Sequence, residues 1–120
     1  MDKYNTEFWQ MLDELLSSSE LVIDRPKGSH HPKYPALVYP VDYGFLENTT
    51  SMDGGGIDIW RGTHGSDIDA VIITIDMMKK DSEIKLLVGC DEKEKQIILD
   101  THNNSKYMKA IMIRRQDSFI

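Results

Sequence analysis

Apolar residues fall at helical spacing over residues 6–18. Phe8, Trp9, Leu12, Leu15 and Leu16 predict an amphipathic helix with Asn5 or Thr6 as N-cap, ended by Ser17-Ser18-Ser19. The pattern then changes to short β-type runs. Leu21 to Asp24 predicts a strand that Pro26 stops, and residues 25–36, with three prolines and a glycine, predict ordered loop. Leu37 to Tyr39, Ile57 to Trp60, Asp69 to Met77 and Glu83 to Gly89 read as further strands. The run from Asp69 is nearly continuous in apolar and β-branched residues, which predicts a central strand. Residues 47–56 form a polar, glycine-rich loop, and Thr63-His64-Gly65-Ser66 reads as a hairpin turn. Ile97, Ile98 and Leu99 sit in a second predicted helix over 92–102. Asp91 is its N-cap and Glu94 lies three residues on, the spacing of a capping box. Tyr107 to Ile113 closes the pattern as a strand or extended segment. Short strands broken by glycine turns, with a helix towards each end, predict an α+β, mainly β fold: a small barrel with both helices packed outside.

The 120 residues suffice for one domain, 1–120, with a single core. Hydrophobic residues make up 40% and charged residues 28%, the composition of a folding chain. The net charge of −6 opposes nucleic-acid binding. No signal peptide is read at the N-terminus, and no apolar run is long enough for a bilayer. The lone Cys90 cannot form an internal disulfide and fits a reducing, cytoplasmic setting.

Chemistry concentrates in the middle of the chain. Tyr39-Pro40-Val41-Asp42-Tyr43-Gly44-Phe45 is followed by Asp53-Gly54-Gly55-Gly56-Ile57-Asp58, two acids flanking three glycines. Glu83 and Lys85 are two apart on a strand, so they share a face. If Glu83 meets Asp53 and Asp58, three carboxylates converge. At an effective dielectric near 20, each pair about 5 Å apart repels by roughly 3 kcal/mol, so protonation, separation or a hard cation is required. Oxygen-only ligands favour Mg²⁺ or Mn²⁺. Lys33, Lys85, Tyr39 and Tyr43 would supply donors to a phosphate. The plainer reading makes Asp53-Gly54 a turn, Asp58 a solvated strand residue, Lys33 a loop charge and the tyrosines barrel aromatics.

The two central motifs resemble the Y-P-x-N-Y-G-Y and D-G-D-P-x-D of the soluble (family I) inorganic pyrophosphatases, over about residues 20–90. The resemblance implies an OB-like five-stranded barrel and metal-dependent hydrolysis of pyrophosphate, with Mg²⁺, or Mn²⁺, as cofactor. It implies catalytic roles for Asp53, Asp58 and Tyr43, and substrate binding by Lys33, Tyr39 and Lys85. Asp53, Asp58 and Glu83 would hold metal, with Asp24 in place of the family's glutamate and Asp81, or Asp76, as a further acid. The implied partner is a small phosphorylated anion, and the family suggests a homo-oligomer. Three departures stand out. Gly55 replaces the middle acid, which serves the family as general base. Asp42 replaces an asparagine. No room remains between Tyr34 and Leu37 for the hairpin that carries a phosphate-binding arginine. Near the C-terminal helix, His102 and Asn103 only weakly match a Y-K pair. A weakened module that binds a phosphorylated ligand without turnover is the alternative, and a partner protein using only its surface is a third reading. His30 and His31 are read either as loop histidines or as stand-ins for the arginine. Asp67 and Asp69 are read as strand-start caps, Cys90 and the methionines as packing, and His64 is assigned no chemistry.

Overall fold

A computed structural model describes residues 3–115. Helix α1 (Lys3–Ser17) is followed by β1 (Leu21–Arg25), β2 (Asp42–Leu46), β3 (Ile57–Arg61), β4 (Ile68–Asp76), β5 (Asp81–Val88), α2 (Glu92–Asn103) and β6 (Met108–Arg114). The six strands form one sheet in the order β1-β2-β3-β5-β4-β6. Neighbours are antiparallel except β3 and β5, which run parallel. The fold is OB-like, mainly β, with two helices. It has one strand more than the expected five, and among the described residues no pairing joins β1 to β6 to close a barrel.

Strand alternation gives the sheet two apolar faces, and each helix covers one. Trp9, Leu12, Leu15 and Leu16 of α1 pack with Leu46, Ile59, Val71, Leu86 and Val88. Ile98 and Leu99 of α2 pack with Trp60, Ala70, Ile72 and Leu87, joined by Tyr39, Val41 and Cys90. Ser17 and Ser18 end α1 by donating their hydroxyls back to the Glu14 carbonyl. The capping box of α2 is formed in both directions: Asp91 Oδ1 accepts from the Glu94 N–H at 2.7 Å, and Glu94 Oε1 accepts from the Asp91 N–H at 3.0 Å.

Four local expectations change. Helix α1 begins at Lys3, ahead of both N-cap candidates. Leu37 to Tyr39 is not a strand: Val38 makes only an isolated bridge to His30, and Tyr39 closes the 25–36 loop by bonding Gly28 and Ser29 through its backbone. The strand lies further on, at Asp42–Leu46, because Pro40 removes a ladder donor just before it. Thr63 to Ser66 is not a hairpin turn, since β5 lies between β3 and β4; the His64 N–H instead bonds the Gly89 carbonyl.

β1 crosses close against β2 at Gly44. A Cβ there would lie 1.8 Å from the Val22 carbonyl oxygen. That neighbour is backbone and cannot swing away. Gly44→Ala is therefore expected to cost about 3 kcal/mol or more, or to prevent folding. Urea denaturation measures this, and a loss below about 1 kcal/mol would contradict the close approach.

Candidate functional site

The cluster stands on the α2 side of the sheet, where the strand pairings line it up. Tyr43 faces Trp60 across β2 and β3, and Asp58 faces Lys85 across the parallel β3–β5 pair. Glu83 lies two residues before Lys85 and opposite Thr74. Alternation puts Glu83 and Lys85 inward and leaves Ile84 exposed.

Lys85 is the hub. Its ammonium donates to Asp58 Oδ2 at 2.7 Å and to the Tyr43 hydroxyl at 2.8 Å, and Glu83 Oε2 is 3.8 Å away. Its side chain is only 7% exposed. Burial, more than any neighbour, raises the pKa of the Tyr43 phenol, and Asp58, Tyr39 and Glu83 push it further. The phenol is held protonated and can donate. Burial also raises Glu83; Lys85 opposes that shift, whereas Asp58, Asp53 and Asp81 add to it. Glu83 Oε1 and Thr74 Oγ1 are buried with no hydrogen-bond partner among the described residues.

Asp53 reaches the cluster from the glycine loop. Its Oδ1 accepts from Ser51 Oγ at 2.7 Å and from the Gly55 N–H at 2.9 Å. Those two bonds lower its pKa, with smaller help from Glu83 and Lys85. Asp53 and Glu83 are thus pushed apart in acidity, one ionised and one inclined to hold its proton. Asp53 is exposed, as are Gly54 and Gly55.

Tyr39 is buried, with its ring centroid 5.2 Å from Tyr43 and 5.8 Å from Trp60. The aromatic row continues at both ends. His31 stacks on Tyr39 at 6.3 Å, and Trp60 Nε1 donates to His102 Nε2 at 3.0 Å. That bond uses the lone pair of Nε2, so the neutral imidazole carries its proton on Nδ1. Burial lowers His102 to about 4, with Lys85 as the secondary cause.

Other residues lie further out. Lys33 is exposed on the loop, and its backbone N–H donates to His31 Nδ1. Asp24 is exposed at a register shift in β1. Asp81 is half-buried at the start of β5, within electrostatic reach of Glu83. Asp76 caps its own turn, accepting from the Met78 and Lys79 N–H groups. Asp69 accepts from the Cys90 N–H, so it ties the start of β4 to the end of β5. Burial raises the Cys90 thiol to about 12, as for a packing residue. Sequence reasoning passed over Arg25, whose guanidinium donates to the Tyr39 hydroxyl. In the sequence it falls at the start of the 25–36 loop, just past the predicted strand; only the structure extends β1 to Arg25.

Asp53, Asp58 and Glu83 do not bring three oxygens within 4.8 Å of one another; among the described residues His64, Asp91 and Glu94 do. That second group is the capping box of α2 plus one exposed histidine. A helix N-terminus carries partial positive charge and disfavours a cation, so no metal is assigned there. Two surface depressions, one polar of about 540 Å³ between Asp13 and Arg114 and one apolar of about 390 Å³ beside Phe8 and Met52, lie outside the cluster, although Ser51 lines the second. No helix among the described residues is long and apolar enough to cross a membrane.

Solved structures of inorganic pyrophosphatases share this fold. The enzyme from Neisseria gonorrhoeae superposes with a TM-score of 0.61 at 15% identity, covering 79% of this chain and 81% of that one. The Thermus thermophilus enzyme gives 0.58 at 20% identity, covering 79% and 81%. The Helicobacter pylori enzyme gives 0.53 at 16%, covering 83% and 85%. No protein-family model matches the chain, and no curated protein matches it in sequence. At these identities the likeness defines a fold: the chain has the fold of the inorganic pyrophosphatases.

The neutral, acceptor His102 makes folding pH-dependent with a definite sign. An unfolded histidine takes up its proton near 6.5, but the folded one resists until about 4. The stabilising contribution is full above 6.5 and is lost as pH falls through that window, at up to about 1.4 kcal/mol per pH unit. His102→Gln keeps an acceptor for Trp60 without a titrating group. Urea unfolding between pH 6.5 and 4 is expected to show a flatter slope in this variant; parallel slopes would contradict it.

Proposed function

We propose that the chain hydrolyses inorganic pyrophosphate, or a related phosphoanhydride, with Mg²⁺ and in a reducing cytoplasm. The observation that carries this reading is the Lys85 hub, which joins Asp58, Glu83 and Tyr43 within a pyrophosphatase-like fold. The donor set suits a hard cation. It is all oxygen, and Glu83 Oε1 is a buried acceptor that receives no hydrogen bond. Asp53, Asp58 and Glu83 would hold Mg²⁺, with Asp81 nearby; Mn²⁺ would serve the same ligands. Such an ion, when bound, makes water a stronger nucleophile and offsets charge on the departing phosphate.

The chain's own groups do the rest. Lys85 places a fixed positive charge at the phosphoryl oxygens, and the protonated Tyr43 phenol adds a neutral donor. Tyr39 and Lys33 complete the substrate side. Water oxygen forms a bond to one phosphorus as the bridging P–O bond breaks, giving two phosphates. Asp53 can take the proton of that water at its exposed carboxylate. Its lowered pKa makes it a weak base, and Gly55 offers none. A well-placed base contributes about 10²–10⁴-fold, so slow turnover follows.

One specific set of observations favours a second reading, binding without turnover. Gly55 has no side chain to activate water. Lys85 already satisfies Asp58, and the three carboxylates do not all bring an oxygen within 4.8 Å of one another. Calorimetry that detects bound pyrophosphate in the absence of phosphate release would select this reading.

Phosphate release from pyrophosphate with Mg²⁺ or Mn²⁺ tests the first. Asp58→Asn is expected to lower it at least about 10²-fold. No metal-dependent release above background would remove the hydrolytic reading. Gly55→Asp places a carboxylate beside Asp53, whose Oδ1 lies 3.3 Å from the position of the added Cβ. It is expected to raise turnover about 10²-fold or more; an unchanged rate would mean that the missing base is not what limits the site.

A further inference from the structure

β1 changes register beside the site. Val22 pairs with Phe45 and Ile23 with Gly44, but Arg25, not Asp24, pairs with Tyr43. Unbroken alternation would have aimed Asp24 at the face that carries Tyr43 and Trp60. The extra residue leaves Asp24 exposed and turns Arg25 to that face. A bulge has exchanged an anion for a cation at the wall of the cluster.

Arg25 is half-buried and donates to the Tyr39 hydroxyl, with its guanidinium carbon 5.6 Å from the Tyr39 ring centroid. Among the described residues it forms no ion pair, unlike Arg114 and Arg115, which are matched to Glu92 and Asp13. Asp24 acts on it only at longer range. Two more cations act at longer range on the same ring stack. Lys33 and Lys79 join Arg25 in bearing on His31, whose ring stacks on Tyr39. Neither lysine has an ion-pair partner among the described residues. A half-buried guanidinium without an ion-pair partner, with two exposed lysines in electrostatic reach of the ring stacked on Tyr39, favours an arriving anion.

The row across the site is then Arg25, Tyr39, Tyr43, Lys85: a cation at each end and two phenols between. A planar guanidinium can grip two oxygens of one phosphoryl group, whereas Lys85 acts as a point charge on its neighbour. We propose that Arg25, assisted by Lys33 and Lys79, is the binding residue for the second phosphoryl group of a phosphoanhydride whose first group lies at Lys85 and Tyr43. This rests on the proposed function for its substrate class. It adds the residue that selects two linked phosphoryl groups over one.

The test is calorimetry with inorganic pyrophosphate and with inorganic phosphate, in buffer containing a chelator, beside kinetics with Mg²⁺. Arg25→Ala is expected to weaken pyrophosphate binding about 10- to 100-fold and inorganic phosphate binding much less. Arg25→Lys, which keeps the charge and the strand, is expected to recover only part of the loss. Where turnover is measurable, KM rises more than kcat falls. A wild-type chain that binds pyrophosphate through Arg25 but releases no phosphate would overturn hydrolysis and leave this subsite standing. Release that survives Arg25→Ala with unchanged pyrophosphate affinity would overturn the subsite alone. Absence of pyrophosphate binding by the wild type overturns the subsite, and absence of Mg²⁺-dependent phosphate release as well overturns both. Lys79→Ala, an exposed position, is expected to shift the affinity in the same direction and covers a failure of Arg25→Ala to fold.

Discussion

The ammonium of Lys85 is the constraint on which the site depends. It lies almost wholly out of water, and so does the Glu83 carboxylate beside it. A charge in that position is tolerated only when paired, and removing one member of such a group typically costs about 3–5 kcal/mol. The parallel pairing of β3 with β5 does the matching, because it sets Asp58 directly across from Lys85. Tyr43 then reaches the same ammonium from β2. Three strands far apart in the chain are locked to one face and one register by a single nitrogen.

The same nitrogen helps explain why the three acids do not close into one ligand set. Asp58 spends an oxygen on Lys85, and Asp53 spends one on its own loop. Glu83 is the member left short of donors. Its raised pKa and the lowered pKa of Asp53 follow from that asymmetry, together with burial of one and exposure of the other. The arrangement is a half-neutralised carboxylate cluster beside two phenols; on the proposed function it would receive a phosphorylated anion with its cation.

Behind the polar cluster, rigidity comes from the aromatic row. Trp60 is 1% exposed and packs at 4.6 Å against Tyr43. Its indole is fixed in turn by His102 on α2. The second helix therefore braces the phenols through one hydrogen bond and a set of ring contacts. In front, the loop of residues 25–36 brings His31 over Tyr39 and closes the row.

Much of this was legible in the order of residues. Helical spacing gave the first helix, the Asp91 and Glu94 spacing gave the capping box that starts the second, and glycine and proline gave most of the breaks. These are local effects, decided within a few residues of backbone. The shared face of Glu83 and Lys85 was also legible, since alternation along one strand needs no partner. Three things were not. The strand at Asp42–Leu46 was hidden because its residues face a core on one side and a polar cluster on the other, so no simple alternation marks it. The passage of β5 between β3 and β4 is a choice among long-range pairings of similar local cost. The bulge that turns Arg25 inward and Asp24 outward depends on how β1 meets β2, where the approach at Gly44 leaves no space for a Cβ. Residue types named the chemistry; which charges meet was decided by strand register, which exists only once distant segments have paired.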